Sequence, residues 1–255
     1  MRTASTNFYR RLSKLAPAAS LALAIALVMS APAAAQSLSI DLGGEATTTS
    51  RIVQMIALLT VLSLAPSIII MLTSFTRIVV VLAFLRSAIG TQQTPPNTVL
   101  VSLALFLTAF VMAPTFEAAY EQGIEPLINE EITQTEAFER SMAPIKVFMI
   151  EHVRNQDLRL FLDLAEIDAI DDPQATPLRA LIPAFMISEL RRAFEIGFLL
   201  FIPFVIIDMV VASILMSMGM MMLPPIMISL PFKLIFFVLV DGWYLVAGSL
   251  VQSFG

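Results

Sequence analysis

Long apolar stretches alternate with shorter polar links along most of the chain, and they set the architecture that the sequence predicts. A membrane-spanning helix needs roughly 20 apolar residues. The stretches that approach or exceed this length are residues 52–85, 99–116, 185–216 and 233–251. Turn residues separate neighbouring stretches at Gly90–Pro96 and Ser217–Leu230. The pattern predicts an all-α membrane protein of about four long apolar helices, arranged as two hairpins over residues 52–116 and 183–255.

The one strongly polar region lies between the two hairpins, at residues 117–182. Fourteen of the 20 acidic residues fall between Glu117 and Asp172. Apolar positions recur at roughly helical spacing within residues 143–164, which predicts short amphipathic helices. The link at residues 90–96 has basic neighbours and no acidic residue, so the positive-inside rule places that link in the cytoplasm. The acidic helical domain is therefore predicted to be periplasmic.

The N-terminal residues have the pattern of a targeting segment. A basic start precedes a short apolar run at residues 16–28, and Ala33–Ala35 offers a cleavage site of small residues. The basic residues are Arg2, Arg10, Arg11 and Lys14. We expect residues 1–35 to be a cleaved signal peptide. A polar lead-in at residues 36–51 then begins outside the cytoplasm.

Composition narrows the possible functions. The chain is 58% hydrophobic and only 14% charged, whereas soluble domains are about one quarter charged. It has no cysteine, and His152 is its single histidine, so neither a thiolate nor a His-rich metal site is expected. The net charge of −5 argues against a nucleic-acid partner. No catalytic triad, phosphate loop or metal cage is present, so we expect neither an enzyme nor a cofactor. His152 is predicted to be a solvated helix residue.

Charged residues open the third apolar stretch. Glu189 precedes Arg192 by three positions and Arg191 precedes Glu195 by four, so each pair shares a helix face and is expected to be partly neutralised. Two interpretations remain open for this group. It is either a solvated helix end or a contact between subunits.

Three further ionisable residues lie within apolar sequence: Asp208, Lys233 and Asp241. A lysine near a helix end can extend its ammonium group to the membrane interface, but an aspartate is too short to do so. Charges at this depth are usually paired or face the interior of a helix bundle. We therefore hypothesise that at least one aspartate pairs with Lys233 or with an arginine. Exchanging the charges of Lys233 and its partner is expected to restore assembly lost in the single variants.

Methionines are concentrated in the loop at residues 216–227. Six of the chain's 15 methionines lie there, beside Pro224 and Pro225. They are Met216, Met218, Met220, Met221, Met222 and Met227. Three interpretations are open: filling gaps in a helix bundle, sealing a pore as a ring contributed by several copies, or binding Cu(I) through thioethers. Copper sites of that kind often also recruit cysteine or histidine.

Several sequence blocks resemble the FliP family, which comprises membrane proteins of the flagellar type III export apparatus with similar virulence-associated counterparts. The likeness covers about residues 50–255 in order. The blocks are Met71–Ile78, Gln92–Asn97, Pro183–Phe198, Asp208–Pro225 and Pro231–Trp243.

The resemblance implies a function that the residue pattern alone does not. Members of the family form what looks like a pentamer with Q-type and R-type export proteins. This helical pore also holds the B-type protein, lies above the A-type export ring, and belongs to the flagellar basal body in the bacterial inner membrane. Exported flagellar subunits pass through it unfolded. The resemblance implies a pore gasket made of Met218, Met220, Met221 and Met222. The alternative is a small-solute or Cu(I) transporter, although the sequence lacks the inverted repeat common in transporters.

Overall fold

The computed structural model describes residues 48–91, 93–167, 172–220 and 222–255, and every regular element in those ranges is a helix. The predicted signal peptide and most of the lead-in lie outside these ranges, so both stay predictions. The chain forms two compact units, residues 1–53 and 54–255. The contacts described below lie within the second unit.

Nine α-helices make up the described chain, with one π turn and one 3-10 turn between them. The helices are α1 Thr48–Leu72, α2 Phe75–Ile89, α3 Asn97–Ala119, α4 Glu125–Ile128, α5 Gln134–His152, α6 Asn155–Leu164, α7 Leu178–Ser217, α8 Pro225–Leu239 and α9 Gly242–Gln252. The π turn is Tyr120–Ile124 and the 3-10 turn is Pro173–Ala175.

Helix ends occur where the sequence supplies capping residues. Helix α2 stops at Gly90, which adopts a left-handed conformation (φ 89°) and donates its N–H to the Ser87 carbonyl. Glycine is favoured at this position because it has no Cβ to clash. Helix α5 begins after Thr133, whose hydroxyl oxygen accepts the Glu136 N–H. A threonine side chain thus satisfies one of the free amides at the helix start.

The described residues contain two helices that are long and apolar enough to cross a membrane, Asn97–Ile128 and Leu178–Ser217. Helices α8 and α9 make a third only if they count as one span bent by 63°. The sequence predicted about four. The first apolar stretch is divided at Thr73–Ser74 into α1, which has 25 residues, and α2, which has 15. Hydropathy alone does not reveal such breaks, because they depend on backbone conformation.

Helix α7 differs most from its predicted extent. It has 40 residues and begins seven positions before the apolar stretch that predicted it. At 1.5 Å per residue it is about 60 Å long, roughly twice the thickness of a bilayer's hydrocarbon core. Its first half packs against α2, α5 and α6, and α8 contacts it farther along the hairpin. One helix therefore joins the polar region to the second hairpin.

Two hydrophobic clusters hold the second unit together. The first joins α2, α3, α7, α8 and α9 and contains Ile78, Leu82, Ala104, Phe204 and Leu250. The second joins the polar region to α3 and α7 and contains Met112, Phe148, Met149, Leu181 and Phe185. Burying a large apolar side chain contributes about 1.5–3 kcal/mol, so these clusters are the main source of stability.

The outer faces of the helices remain apolar and exposed. Phe106 on α3 is 75% exposed and Leu239 on α8 is 80% exposed. Every side chain of α1 from Ile52 to Leu64 is exposed as well. Extended apolar surfaces of this kind indicate contact with lipid or with other subunits.

Gly123 provides a test of the close contact between the π turn and α5. A Cβ added to Gly123 would lie 2.6 Å from the Ala137 carbonyl oxygen, a backbone atom that cannot move aside easily. We expect Gly123→Ala to lower the free energy of unfolding by about 1–3 kcal/mol. A thermal-unfolding midpoint of the full chain in detergent measures this loss. Gly248→Ala is the matched control, because nothing lies within 4 Å of its added Cβ, and an unchanged midpoint for Gly123→Ala would contradict the packing.

Candidate functional site: a methionine-rich turn and buried ion pairs

The methionine-rich turn joins α7 to α8 and is shaped by its backbone. Gly219 has φ 75° and donates its N–H to the Met216 carbonyl, while Met220 donates to the Leu215 carbonyl. These two hydrogen bonds form the Schellman pattern that commonly ends a helix at a left-handed glycine. Pro224 and Pro225 then start α8, since proline has no N–H to leave unpaired in the first turn.

The described methionine side chains of this turn are exposed. Met222 is 98% exposed, and Met218 and Met220 are also exposed. Met221 lies outside the described residues. An exposed side chain fills no gap within its own chain, so gap filling within one copy does not account for these positions. Flexible thioethers at the tip of a hairpin are available to another molecule.

Lys233 on α8 forms an ion pair with Asp208 on α7, in agreement with the hypothesis that at least one of the two aspartates is paired. The Lys233 ammonium lies 2.6 Å from Asp208 Oδ2 and 3.2 Å from the Ala88 carbonyl oxygen, and Ser229 donates its hydroxyl to Asp208 Oδ1. Lys233 is buried, whereas Asp208 is about a third exposed. The Lys233 side chain turns inward, so its ammonium group does not reach out to a membrane interface. The pair thus links both helices of the hairpin and the end of α2.

Glu189 pairs with Arg77, not with Arg192 as its spacing suggested. Arg77 on α2 donates Nε to Glu189 Oε2 at 2.8 Å and Nη2 to Oε1, and both side chains are almost fully buried. The two parallel bonds match the planar guanidinium to the carboxylate. Sequence reasoning did not single out Arg77 as a site residue. The available signal was a lone arginine inside the first apolar stretch, which requires a partner.

The remaining charges discussed for α7 and the aspartate just before α9 lie at the surface. Arg191 Nε is 3.1 Å from Glu195 Oε1, the predicted pairing, and both side chains are more than half exposed. Arg192 is also exposed. Asp241 is exposed at the bend between α8 and α9, in a left-handed conformation with φ 51°. These four side chains are therefore accessible to water or to a neighbouring chain.

His152 is half-buried, which corrects its prediction as a solvated residue. Its Nδ1 lies 2.7 Å from the Phe148 carbonyl oxygen and its Nε2 lies 3.3 Å from the Phe254 carbonyl oxygen. The ring is also close to the Phe148 and Phe254 rings, with centroids 4.5 and 5.4 Å away. The cause is tertiary, because the residues after α9 fold back onto the end of α5.

We expect the loss of one partner of the Asp208–Lys233 pair to be more damaging than the loss of both. Asp208→Ala leaves a buried ammonium with one carbonyl and should cost about 3 kcal/mol of folding stability, whereas the double variant Asp208→Leu with Lys233→Met should recover most of it. Exchanging the two charges should recover less, because a carboxylate at position 233 would face the Ala88 carbonyl. Thermal unfolding of the unsubstituted chain, Asp208→Leu, Lys233→Met and their double variant forms a double-mutant cycle. Simple additivity of the single losses would show that the pair has no coupling.

Comparison with known proteins places the chain in a family. A profile of the FliP family matches residues 58–250. The flagellar biosynthetic protein FliP of Caulobacter vibrioides is 64% identical over 233 residues, which cover 91% of this chain and 88% of that protein. The protein of the same name from Bacillus subtilis is 57% identical over 80% of this chain and 93% of its own length. That from Pectobacterium carotovorum is 49% identical over 96% and 97%. The chain therefore belongs to the FliP family.

Proposed function

We propose that this protein is a core channel-forming subunit of the flagellar type III protein export gate, through which unfolded flagellar subunits cross the bacterial inner membrane. The observation that carries the proposal is the methionine-rich turn, held outward at the tip of the α7–α8 hairpin. It belongs to a chain that is 64% identical to a flagellar biosynthetic protein. A tip of deformable apolar side chains is what a closure around a moving polypeptide requires.

Several copies are needed to build such a channel. Two hairpins cannot enclose a passage wide enough for a polypeptide, and one copy leaves the outer faces of α3, α7 and α8 apolar and exposed. Packing copies side by side would cover these faces and bring their methionine turns together around an axis. The proposed assembly is a pentamer that also contains the Q-type, R-type and B-type export proteins and lies above the A-type export ring.

The gasket is proposed to consist of Met218, Met220, Met221 and Met222. A rigid polar ring would coordinate ions, whereas a narrow apolar constriction excludes them because water leaves it. Methionine is unbranched and has three rotatable side-chain bonds, so it can re-pack around passing residues of different sizes. The same ring could then hold back ions at rest and yield during export.

The length of α7 supports a placement for the charged group near its middle. Because the helix is about twice as long as the hydrocarbon core is thick, Arg191, Arg192 and Glu195 can lie outside the hydrocarbon while residues 196–217 cross it. The one charge in that part, Asp208, is paired with Lys233. The exposure of the charged group suits a contact with a neighbouring copy or partner protein. The polar helices α4–α6 would then lie in the periplasm, as the charge distribution predicts. The alternative of a small-solute or Cu(I) transporter has no support from the relatives named above.

Replacing the four gasket methionines with alanine tests the channel role. Alanine removes most of each side chain, so the constriction widens and admits water. We expect the complex purified with its co-expressed export partners to assemble normally and, once in lipid vesicles, to conduct ions about tenfold more than the unsubstituted complex. Vesicle ion flux and the size of the purified particle are the two measurements.

Two controls isolate the position and the size of these side chains. Leucine at the same four positions keeps the apolar volume and should leave conduction close to that of the unsubstituted complex. Met55→Ala removes an exposed methionine from α1 and should have no effect. An assembled alanine complex with unchanged conduction would falsify the gasket, and a particle containing one copy of the chain would rule out the channel.

A further inference from the structure

The last described helix, α9, is bent back at its start in an unfavourable conformation. Asp241 has φ 51° and ψ 53°, a left-handed backbone that non-glycine residues rarely adopt, and its side chain makes no capping hydrogen bond to α9. Gly242 follows, with no room for a side chain, because an added Cβ would lie 2.1 Å from the Phe237 ring. Such a backbone persists only where the surrounding contacts hold it. One contact lies across the bend itself, where the Phe237 and Trp243 rings meet edge to face with centroids 5.4 Å apart. Further contacts lie along α9 and beyond it.

The middle of α9 makes some of the contacts that keep the helix in its bent position. Val246 and Leu250 are buried in the first hydrophobic cluster, on the side that faces α3. The opposite side of the helix is open, with Tyr244 and Leu245 exposed. Helix α9 thus lies across the surface of the cluster as a single layer.

The residues after α9 are fixed by the buried ion pair. Arg77 uses Nε and Nη2 for Glu189, and its Nη1 donates to the Ser253 carbonyl oxygen at 2.9 Å and to the Ser253 hydroxyl at 3.0 Å. Ser253 thereby supplies the hydrogen-bond acceptors for Nη1, the nitrogen of Arg77 that does not contact Glu189. Leaving a donor of a buried guanidinium without a partner is destabilising. The hydrogen bonds to Arg77 therefore favour the observed position of Ser253.

Phe254 extends this attachment to the polar region. Its ring lies against the Arg77 guanidinium, with Cζ 3.6 Å from the ring centroid, and stacks on Phe148 of α5 at 6.1 Å. Its carbonyl oxygen faces His152 Nε2. Among the partly buried apolar residues of the described chain, Phe254 is the one that packs against both hydrophobic clusters.

We propose that residues 242–254 form a strap, bent at Asp241 and fastened by Ser253 and Phe254 to Arg77 and His152, which can open while the rest of the fold stays intact. Helix α2 contacts both α3 and α7 directly, so the packing of these helices does not need the strap. The fastening is a small set of contacts at one end, opposed by the unfavourable backbone at the other. Partial opening of this kind is expected where one weakly packed element overlies a stable core. This inference does not depend on the export function.

Thiol labelling can measure strap opening, because the chain has no natural cysteine. Three single cysteines are introduced into the full chain in native membranes and labelled with N-ethylmaleimide. Val246→Cys lies on the buried side of the strap, Leu245→Cys lies on its open side, and Ile78→Cys lies deep in α2, where the native side chain is fully buried. Position 245 normalises for membrane access of the reagent, and position 78 reports unfolding of the whole core.

We expect Phe254→Ala to raise the labelling rate at position 246, relative to position 245, by about tenfold or more while position 78 stays protected. Phe254→Tyr keeps a ring against Arg77 and should keep position 246 protected. Phe106→Ala, which removes an exposed ring from α3, is the matched control and should change nothing. If position 246 stays protected in Phe254→Ala, the strap is not fastened by Phe254 and the proposal fails.

If Phe254→Ala exposes positions 246 and 78 together, Phe254→Leu decides the question. Leucine keeps most of the apolar contact but offers no ring to Arg77 and His152. Labelling at position 246 alone would support a strap that opens locally. If positions 246 and 78 both stay protected in Phe254→Leu, the aromatic ring is not what fastens the strap. If both positions become labelled, Phe254 supports the whole core and not the strap alone. Either of those two results would overturn the proposal.

Discussion

The buried ion pair between Arg77 and Glu189 is the interaction around which the described helices are arranged. It joins α2 to α7 across 112 positions of sequence, with both charges almost completely removed from solvent. Breaking such a pair leaves an uncompensated buried charge, at a cost of about 3–5 kcal/mol. Phe84 packs beside it against Gly197, so the two helices lie close enough for the charges to meet. The residues after α9 can fasten to this point only because Glu189 leaves Nη1 of the guanidinium free.

The polar contacts and the apolar surface have different roles in this fold. Buried charges are few, specific and paired within the chain, so they set which helices are neighbours. The exposed apolar faces are extensive and non-directional, and they have no partner within the described part of the chain. Apolar area provides the main driving force for association, while directional hydrogen bonds select one arrangement. The proposed channel follows from this division, because one copy is internally specified and still requires others to cover its surface.

Several features could be predicted from the sequence because they depend on neighbouring residues. Helical periodicity indicated an all-α chain, and the i, i+4 spacing identified the Arg191–Glu195 pair. The need to neutralise charge in apolar sequence led to a partner for Lys233, although not to the choice between Asp208 and Asp241. The same rule applied to Arg77 would have pointed to a buried pair. Spacing misassigned Glu189 because a residue three positions away is near only along the helix, whereas Arg77 approaches from another helix.

By itself, the sequence determined the helical class, the acidic region between two apolar hairpins, the methionine-rich turn and membership of the FliP family. Each of these depends only on the local order of residues or on amino-acid composition. Only the tertiary structure decided where α8 and α9 bend, which aspartate meets Lys233, and that Phe254 lies between Arg77 and His152. These outcomes depend on contacts between residues far apart in sequence, where geometry and burial, not spacing, select the partner.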